Sequence, residues 1–371
     1  MWNTNAFTAR FGLRWPIVQG PFGGGNSSVA LVAAVSNAGA LGSLGAVNLA
    51  PEEIRATAAA IRAATDRTFN LNLWVPIAGQ DDVTVAPDAL ARSVARVADV
   101  LRALGLDPPP APATFAHRYE DQLAALMDVA PPVVSFVMGA PDPETVRDAA
   151  RRGIRTIGTA TTVDEAVALE AVGVDAIVAS GSDAGGHRGS FLRPVEASLV
   201  GTMSLVPQVA RAVRVPVLAA GGIADGRGIV ASLALGAQGV QVGSAFLATP
   251  ESGAPEVHKR VLGTEEARWT RLTRAITGRH ARGVENHLMR TLEAHLGDVL
   301  PYPAQSWVTA ALRRAAGAQN RADLLALWAG QNAASARPMP AARLVETLVA
   351  ETDDVLRSAP LRPHGARADH P

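Results

Sequence analysis

The chain has 371 residues, of which 48% are hydrophobic and 18% charged, so it has enough apolar side chain for a large core and is neither disordered nor collagen-like. Its 34 basic and 34 acidic side chains cancel, which leaves no basic excess to bind nucleic acid. It has no cysteine, which excludes disulfides, thiolate nucleophiles, zinc–thiolate sites and Fe–S clusters.

The N-terminal region gives no sign of export or membrane insertion. It lacks the charged segment followed by an apolar run that marks a signal peptide. Residues 15–51 carry no charge, but glycine and asparagine divide this stretch into short elements, whereas a membrane span needs ~20 consecutive apolar residues. We therefore expect a cytoplasmic protein with no membrane segment.

Short apolar runs rich in Val and Ile alternate along the chain with longer Ala-rich segments. Near-continuous apolar runs are typical of parallel strands that are covered on their outer face. The predicted strands are residues 16–20, 40–45, 69–74, 133–139, 155–160, 176–181, 215–222 and 239–246.

The intervening segments carry the start and stop signals of helices. Ser28 precedes the first segment and Gly39 follows it, and Pro51 opens the second. Repeated βα units of this kind predict a closed (β/α)8 TIM barrel in the α/β class. The alternative is an open doubly wound sheet, in which the strand order would reverse.

Two regions do not fit a simple βα repeat. Residues 75–132 are too long for one helix, contain helical pieces at 86–104 and 117–128, and predict an insertion after the third strand. Residues 251–371 predict a helical region packed on a barrel formed by residues 1–250, with the last ~12 residues disordered.

Glycines end the last two predicted strands, at Gly221–Gly222 and at Gly243–Ser244. In such barrels these turns often bind phosphate, because bare backbone and a helix N-terminus can approach an anion closely. The alternative is that the glycines merely end strands. Their occurrence on two consecutive strands favours a phosphate-bearing ligand.

A histidine flanked by glycines follows the sixth strand, in the sequence SDAGGHRGS. An uncrowded imidazole at the C-terminal end of a barrel strand is placed for proton transfer, and His187 is therefore our candidate catalytic residue. The alternative is a surface histidine or one that tethers its loop.

Two amides occur in or next to predicted strand ends. The Asn72 amide can donate hydrogen bonds to the polar edge of a heteroaromatic ring and accept hydrogen bonds from it. Gln19, with Gly20 after it, is a candidate for the same role. An amide that caps a neighbouring loop is the alternative. No metal-ligand pattern, GxSxG elbow or Walker sequence is present.

Nine segments occur along the chain in a recognisable order: PIVQGPFGGG, SNAGALGSLGA, NLNLW, VVSFVMGAP, DAGGHRG, LAAGGIADGRG, GAQGVQVGSAFL, RAITGRHARGVEN and LWAGQ. Taken in this order, they resemble the nitronate monooxygenase family, formerly called 2-nitropropane dioxygenases, which are FMN-dependent barrel enzymes. The last two segments resemble those of class I members of the family.

The resemblance implies roles for individual residues. His187 falls on the catalytic histidine, and Tyr302 on a substrate-side aromatic residue. The FMN contacts expected on this basis are Gln19, Gly20, Asn72, Ser180, Gly185, Gly186, Gly221, Gly222, Gln241, Gly243 and Ser244. Three features depart from the family pattern: Ser180 stands where a glutamine is expected, Asp183 where glutamate is usual, and VMGAP where an aromatic or leucine-containing turn is usual.

The resemblance implies oxidation of an alkyl nitronate with O2 to a carbonyl compound and nitrite. His187 would hold the nitronate oxygen or remove the α-proton of a nitroalkane. An FMN-dependent reductase that passes hydride from NAD(P)H to a quinone or an enoyl thioester is an alternative on the same barrel, and a flavin-free binding protein is another. The expected partners are a small-molecule substrate and O2, and a homo-oligomer remains open.

Overall fold

The computed structural model describes residues 1–77 and 84–358. The strands are β1 (Ile17–Gln19), β2 (Gly42–Gly45), β3 (Phe69–Trp74), β4 (Val133–Val137), β5 (Arg155–Ala160), β6 (Ala176–Ser180), β7 (Gly186–His187), β8 (Val217–Ala220), β9 (Gly239–Val242), β10 (Thr270–Thr273) and β11 (Ala281–Val284). Every strand predicted from the sequence is present, but the last one, predicted over residues 239–246, ends at Val242 because a short helix begins at Ser244. The predicted disorder of the last residues concerns positions outside the described ranges.

The α-helices alternate with these strands or follow them. They are α1 (Ala6–Phe11), α2 (Val29–Asn37), α3 (Pro51–Ala64), α4 (Pro87–Ala103), α5 (Tyr119–Val129), α6 (Pro143–Arg151), α7 (Val163–Ala171), α8 (Thr202–Ala212), α9 (Gly226–Ala234), α10 (Ser244–Leu247), α11 (Glu256–Val261), α12 (His287–Glu293), α13 (Ala304–Ala318) and α14 (Ala341–Ser358). The predicted caps form: the Ser28 hydroxyl accepts from the Leu31 N–H at 2.9 Å and Pro51 opens α3.

Eight parallel strands make one sheet in the order β1-β9-β8-β6-β5-β4-β3-β2. The two ends of this sheet meet, because Val18 and Leu41 form a parallel bridge and the Gln19 N–H donates to the Leu41 carbonyl at 2.9 Å. The predicted (β/α)8 barrel is therefore confirmed, and the open doubly wound sheet is wrong.

The barrel interior is apolar at its N-terminal end. Inward side chains such as Val18, Val178 and Leu218 form one buried cluster there. Phe7 and Phe11 of α1 belong to the same cluster and cover this end of the barrel. Alternate strand residues, such as Ile17 and Ala179, pack outward against the helices. This alternation decides which residues near the strand ends face into the barrel.

The final helix belongs to the ring of barrel helices. Helix α14 contacts α9 and α2, and its apolar side chains, including Leu344 and Leu348, join the core between the sheet and the helices. The chain therefore leaves the barrel after strand β9 and returns to it with α14, which packs beside α2 and α9. The domain boundary at residue 250 stays a prediction.

The insertion after β3 and the segment after β9 share a second core. Val97 and Leu101 of α4 lie in the same buried cluster as Leu288 of α12 and Leu312 of α13. This region also contains the antiparallel pair β10–β11, which is not predicted from the sequence. The polar sequence TRLT and its partner ARGV lack the usual strand pattern, and tertiary pairing specifies them.

Across the described residues, no helix combines the length and the apolar character required to cross a membrane.

Candidate active site

A ring of polar side chains lies inside the barrel at the C-terminal ends of its strands. Because Val178 of β6 faces inward and Ala179 outward, Ser180 faces inward, and the same alternation applies to Gln241 on β9. Both are partly exposed. The Asn72 amide is buried and donates to the Ser135 hydroxyl at 2.9 Å and to its carbonyl at 3.1 Å. The apolar interior therefore gives way to a hydrogen-bonding surface at the mouth.

His187 is presented at this mouth by a short strand. Its backbone, in β7, pairs antiparallel with β11, where Ala281 is its register partner. Its Nε2 lies 2.8 Å from the Thr277 hydroxyl oxygen. Trp74 meets the imidazole edge-on with ring centroids 4.9 Å apart, and Trp328 contacts it at 5.4 Å. The imidazole is thus fixed by one hydrogen bond and two indole rings.

The surroundings of His187 keep the imidazole neutral. Burial is the main reason that its pKa falls from the ordinary value to about 3, and the positive charges of Arg279 and Arg313 lower it further. At neutral pH the ring is therefore unprotonated, with a lone pair on one of its two nitrogens.

Buried ionic groups hold the loop that carries His187. The Arg188 guanidinium donates to the carbonyls of Gly181 at 2.6 Å and Ser180 at 2.9 Å. The fully buried Glu165 carboxylate accepts from the N–H groups of Phe191 at 2.7 Å and Leu192 at 3.2 Å. Because these charged groups satisfy backbone atoms on both sides of the histidine, the loop has a defined shape.

Asp183, one of the departures from the family pattern, ties this loop to the barrel. Its carboxylate accepts from the Thr202 N–H and hydroxyl, both at 2.7 Å, at the start of α8. Burial opposes ionisation of Asp183, but the hydrogen bonds from Thr202 outweigh it, so the pKa of Asp183 is lowered. The shorter side chain is thus used in a structural contact.

The predicted phosphate turns come together with the loop of His187. A Cβ on Gly221 would lie 2.9 Å from the Ala184 nitrogen, and one on Gly185 would lie 2.4 Å from the Gly330 nitrogen. The Ser244 hydroxyl accepts from the Gly330 N–H at 2.9 Å. Gly222 lies beside Asp183, within ordinary contact distance of its Cβ. Four segments of the chain therefore pack against one another here, with little room for side chains between their backbones.

This cluster contains unused hydrogen-bond donors. Within residues 1–77 and 84–358, the backbone N–H groups of Gly222, Gly243 and Ser244 donate to no protein acceptor. Unsatisfied N–H groups at strand ends and helix N-termini bind anions such as phosphate. The donor set therefore fits a phosphate group.

The remaining predicted cofactor residues divide into two kinds. Gly20 lies against Gly243, with 3.4 Å from its ideal Cβ to the Gly243 Cα, and Gly186 occupies β7 next to His187. Gln19 is different: its fully buried amide accepts from the Ser43 N–H at 2.8 Å and donates to the Gly20 carbonyl. Its side chain therefore shapes the following loop and does not line the mouth.

Tyr302 contacts Trp74, the same indole that meets the His187 ring. Its ring centroid is 5.4 Å from that of Trp74, and the Arg279 guanidinium carbon lies 4.8 Å above its ring. These three residues line a cavity of about 500 Å³ together with residues 114–120 of the insertion. The insertion thus approaches the site from outside the barrel.

Several residues of the site are not predicted from the sequence. Trp74 had a usable signal, because it follows Asn72 by two positions and so shares its strand face. Thr277, Arg279 and Trp328 lie in the segments RAITGRHARGVEN and LWAGQ that carry the family resemblance, but no local pattern singles them out. They are far along the chain and reach His187 through the β10–β11 hairpin and the segment that pairs with it.

In the described part of the chain, no three His, Cys, Asp or Glu side chains are arranged to hold a metal ion.

Comparisons with known proteins agree with this arrangement. The family model for nitronate monooxygenase matches residues 5–351. A probable nitronate monooxygenase from Staphylococcus saprophyticus is 36% identical over 351 residues, covering 94% of this chain and 98% of the relative. The nitroalkane oxidase structure from Streptomyces ansochromogenes is 40% identical, with a TM-score of 0.86 over 95% of this chain and 99% of the other. FabK from Thermotoga maritima is 27% identical, with a TM-score of 0.74 over 95% and 97%.

Proposed function

Because the chain belongs to the nitronate monooxygenase family, a family of oxidoreductases, we propose that it oxidises alkyl nitronates with bound FMN and O2, yielding a carbonyl compound and nitrite. The observation that carries this proposal is the imidazole of His187 at the barrel mouth, held by the Thr277 hydroxyl and two indole rings next to a cluster of backbone donors suited to a phosphate.

The donor cluster is our proposed site for the FMN phosphate. The N–H groups of Gly222, Gly243 and Ser244 would hold it, because they have no protein acceptor within the described ranges. Asn72, Ser180, Gly185, Gly186, Gly221, Gly20 and Gln241 are proposed to contact the rest of the flavin. Gln19 would act through the loop that it shapes. When bound, the flavin supplies the electron transfer from nitronate to O2.

The protein's own groups would prepare the substrate. His187, unprotonated at neutral pH, can take the α-proton of a neutral nitroalkane and so form the nitronate in place. The charges of Arg279 and Arg313, which disfavour protonation of His187, favour a negatively charged nitronate beside it. Tyr302 and Trp74 are proposed to form the wall of the substrate site that faces the cavity.

The proposal is tested by the absorption spectrum of the purified protein and by oxygen consumption with a pre-formed nitronate. We expect a flavin spectrum and nitronate-dependent oxygen uptake. A colourless protein that cannot be reconstituted with FMN would contradict flavin binding. Anaerobic bleaching by NADH, with no bleaching by nitronate, would indicate a reductase instead.

The role of His187 is tested by replacement with asparagine. His187→Asn should lower kcat/KM about 10²- to 10⁴-fold on a neutral nitroalkane, the usual contribution of a placed base, and less on the pre-formed nitronate. The matched control is His280→Asn, because the His280 imidazole lies 3.4 Å from Glu196 and, among the described residues, makes no hydrogen bond or ring contact with the His187 side chain. Equal, small losses on both substrates would argue against proton transfer by His187.

A further inference from the structure

Thr277 makes two hydrogen-bond contacts that together determine the position of a proton. Its hydroxyl oxygen lies 2.8 Å from His187 Nε2 and 3.2 Å from the Arg279 carbonyl oxygen. The side chain is 2% exposed, so water does not compete freely for these contacts. A carbonyl oxygen only accepts, whereas a hydroxyl has a single proton to donate and can also accept.

One assignment satisfies both contacts. If the threonine donates its proton to the Arg279 carbonyl, it must accept from His187, and Nε2 then carries the imidazole proton. The opposite assignment would leave the carbonyl facing a hydroxyl with no proton to offer. In the neutral ring the lone pair then lies on Nδ1, which has no hydrogen-bond partner among the described residues.

We propose that Thr277 is a positioning residue, which holds His187 in the tautomer protonated at Nε2 and so makes Nδ1 the base. This inference rests on the proposed function of the site. The α-C–H bond of a neutral nitroalkane breaks, its electron pair forms the C=N bond of the nitronate as one N–O π pair moves onto oxygen, and the proton bonds to Nδ1. The products are a nitronate anion and an imidazolium.

The fold explains why this contact is well placed. The hairpin of β10 and β11 pairs with the backbone of His187 through Ala281 and carries Thr277 in its connecting loop. One hairpin therefore fixes both the backbone and the ring of the histidine. The Nε2–H bond to Thr277 is the same before and after proton transfer, so the donor does not need to reorganise during the reaction.

The tautomer can be measured directly in the wild-type protein. The purified flavoprotein is labelled with ¹⁵N-histidine, and NMR then shows signals from its eight histidines. The signals of His187 are the ones that disappear in the His187→Asn variant. We expect an Nε2–H signal and an Nδ1 shift typical of an unprotonated nitrogen. A proton on Nδ1 would overturn the inference, and this measurement does not depend on any catalytic activity.

Two variants test the consequence for catalysis. Thr277→Val keeps the shape and removes the hydroxyl, and it should lower kcat/KM on a neutral nitroalkane roughly 10- to 100-fold, part of what a placed base contributes. Thr277→Ser should restore both the rate and the Nε2–H tautomer. Oxidation of a pre-formed nitronate should change little in either variant.

Other outcomes contradict the inference. An unchanged rate of Thr277→Val on the nitroalkane would remove the positioning role, and an equal loss on nitronate and nitroalkane would indicate a merely structural one. If the wild type oxidises neither substrate, the proposed function fails, whereas the tautomer measurement still decides the assignment of the proton.

Discussion

Replacing Gly221 with alanine tests the backbone cluster that we assign to the phosphate. Gly221 has a φ of +113°, a conformation that costs an L-residue on the order of 1–3 kcal/mol. The added Cβ would also lie 2.7 Å from the Thr202 hydroxyl and 2.9 Å from the Ala184 nitrogen. The second atom is backbone of the loop that leads to His187, so relief of the clash must displace that loop.

We expect a total cost of about 2–3 kcal/mol in the geometry that binds FMN, from the strain and the clash together. At ~1.4 kcal/mol for each tenfold change, the Kd for FMN should rise about 30- to 150-fold. The assay is titration of the apoprotein with FMN, followed by quenching of flavin fluorescence, with circular dichroism to check folding.

Gly153→Ala is the matched control. Gly153 also has a positive φ, +72°, but it is exposed after α6 and no atom lies within 4 Å of its ideal Cβ. This variant should show the backbone cost in stability and bind FMN like the wild type. A folded Gly221→Ala protein with wild-type FMN affinity would refute the proposed phosphate site.

Two further predictions concern charge. Arg279→Gln should raise the pKa of His187, because burial remains but one of the two cations that lower it is removed. The protonated ring cannot act as a base, so the pH at which kcat/KM on nitroalkane falls on the acidic side should increase. An unchanged or decreased pH for this fall would contradict the prediction. Glu165→Gln should reduce the free energy of unfolding by about 2–4 kcal/mol in urea denaturation, because the carboxylate accepts from buried N–H groups that an amide nitrogen cannot satisfy. Asp164→Asn, on the exposed pair with Arg193, is its control and should change stability by less than about 0.5 kcal/mol.

The sequence by itself determined the barrel and its repeat. Apolar strand runs, the cap at Ser28 and the proline at Pro51 are local patterns, because each is recognised from residues a few positions apart. The same local signals located His187 and the glycine turns at strand ends, since the barrel brings those ends to one face. The roles of these residues stay predictions until they are measured.

Only the tertiary structure decided what surrounds the histidine. Thr277 lies 90 positions from His187 along the chain, and their contact depends on a hairpin with no strand-like pattern. The Gln19 amide bonds to the Ser43 N–H and to its own loop, two contacts that the local sequence does not reveal. Helix α14 likewise joins the barrel ring after a long excursion of the chain. Local propensity fixes the strands and helices of the barrel repeat. The β10–β11 hairpin and the contacts between distant segments depend instead on how the completed surfaces pack, and that information is spread over the whole chain.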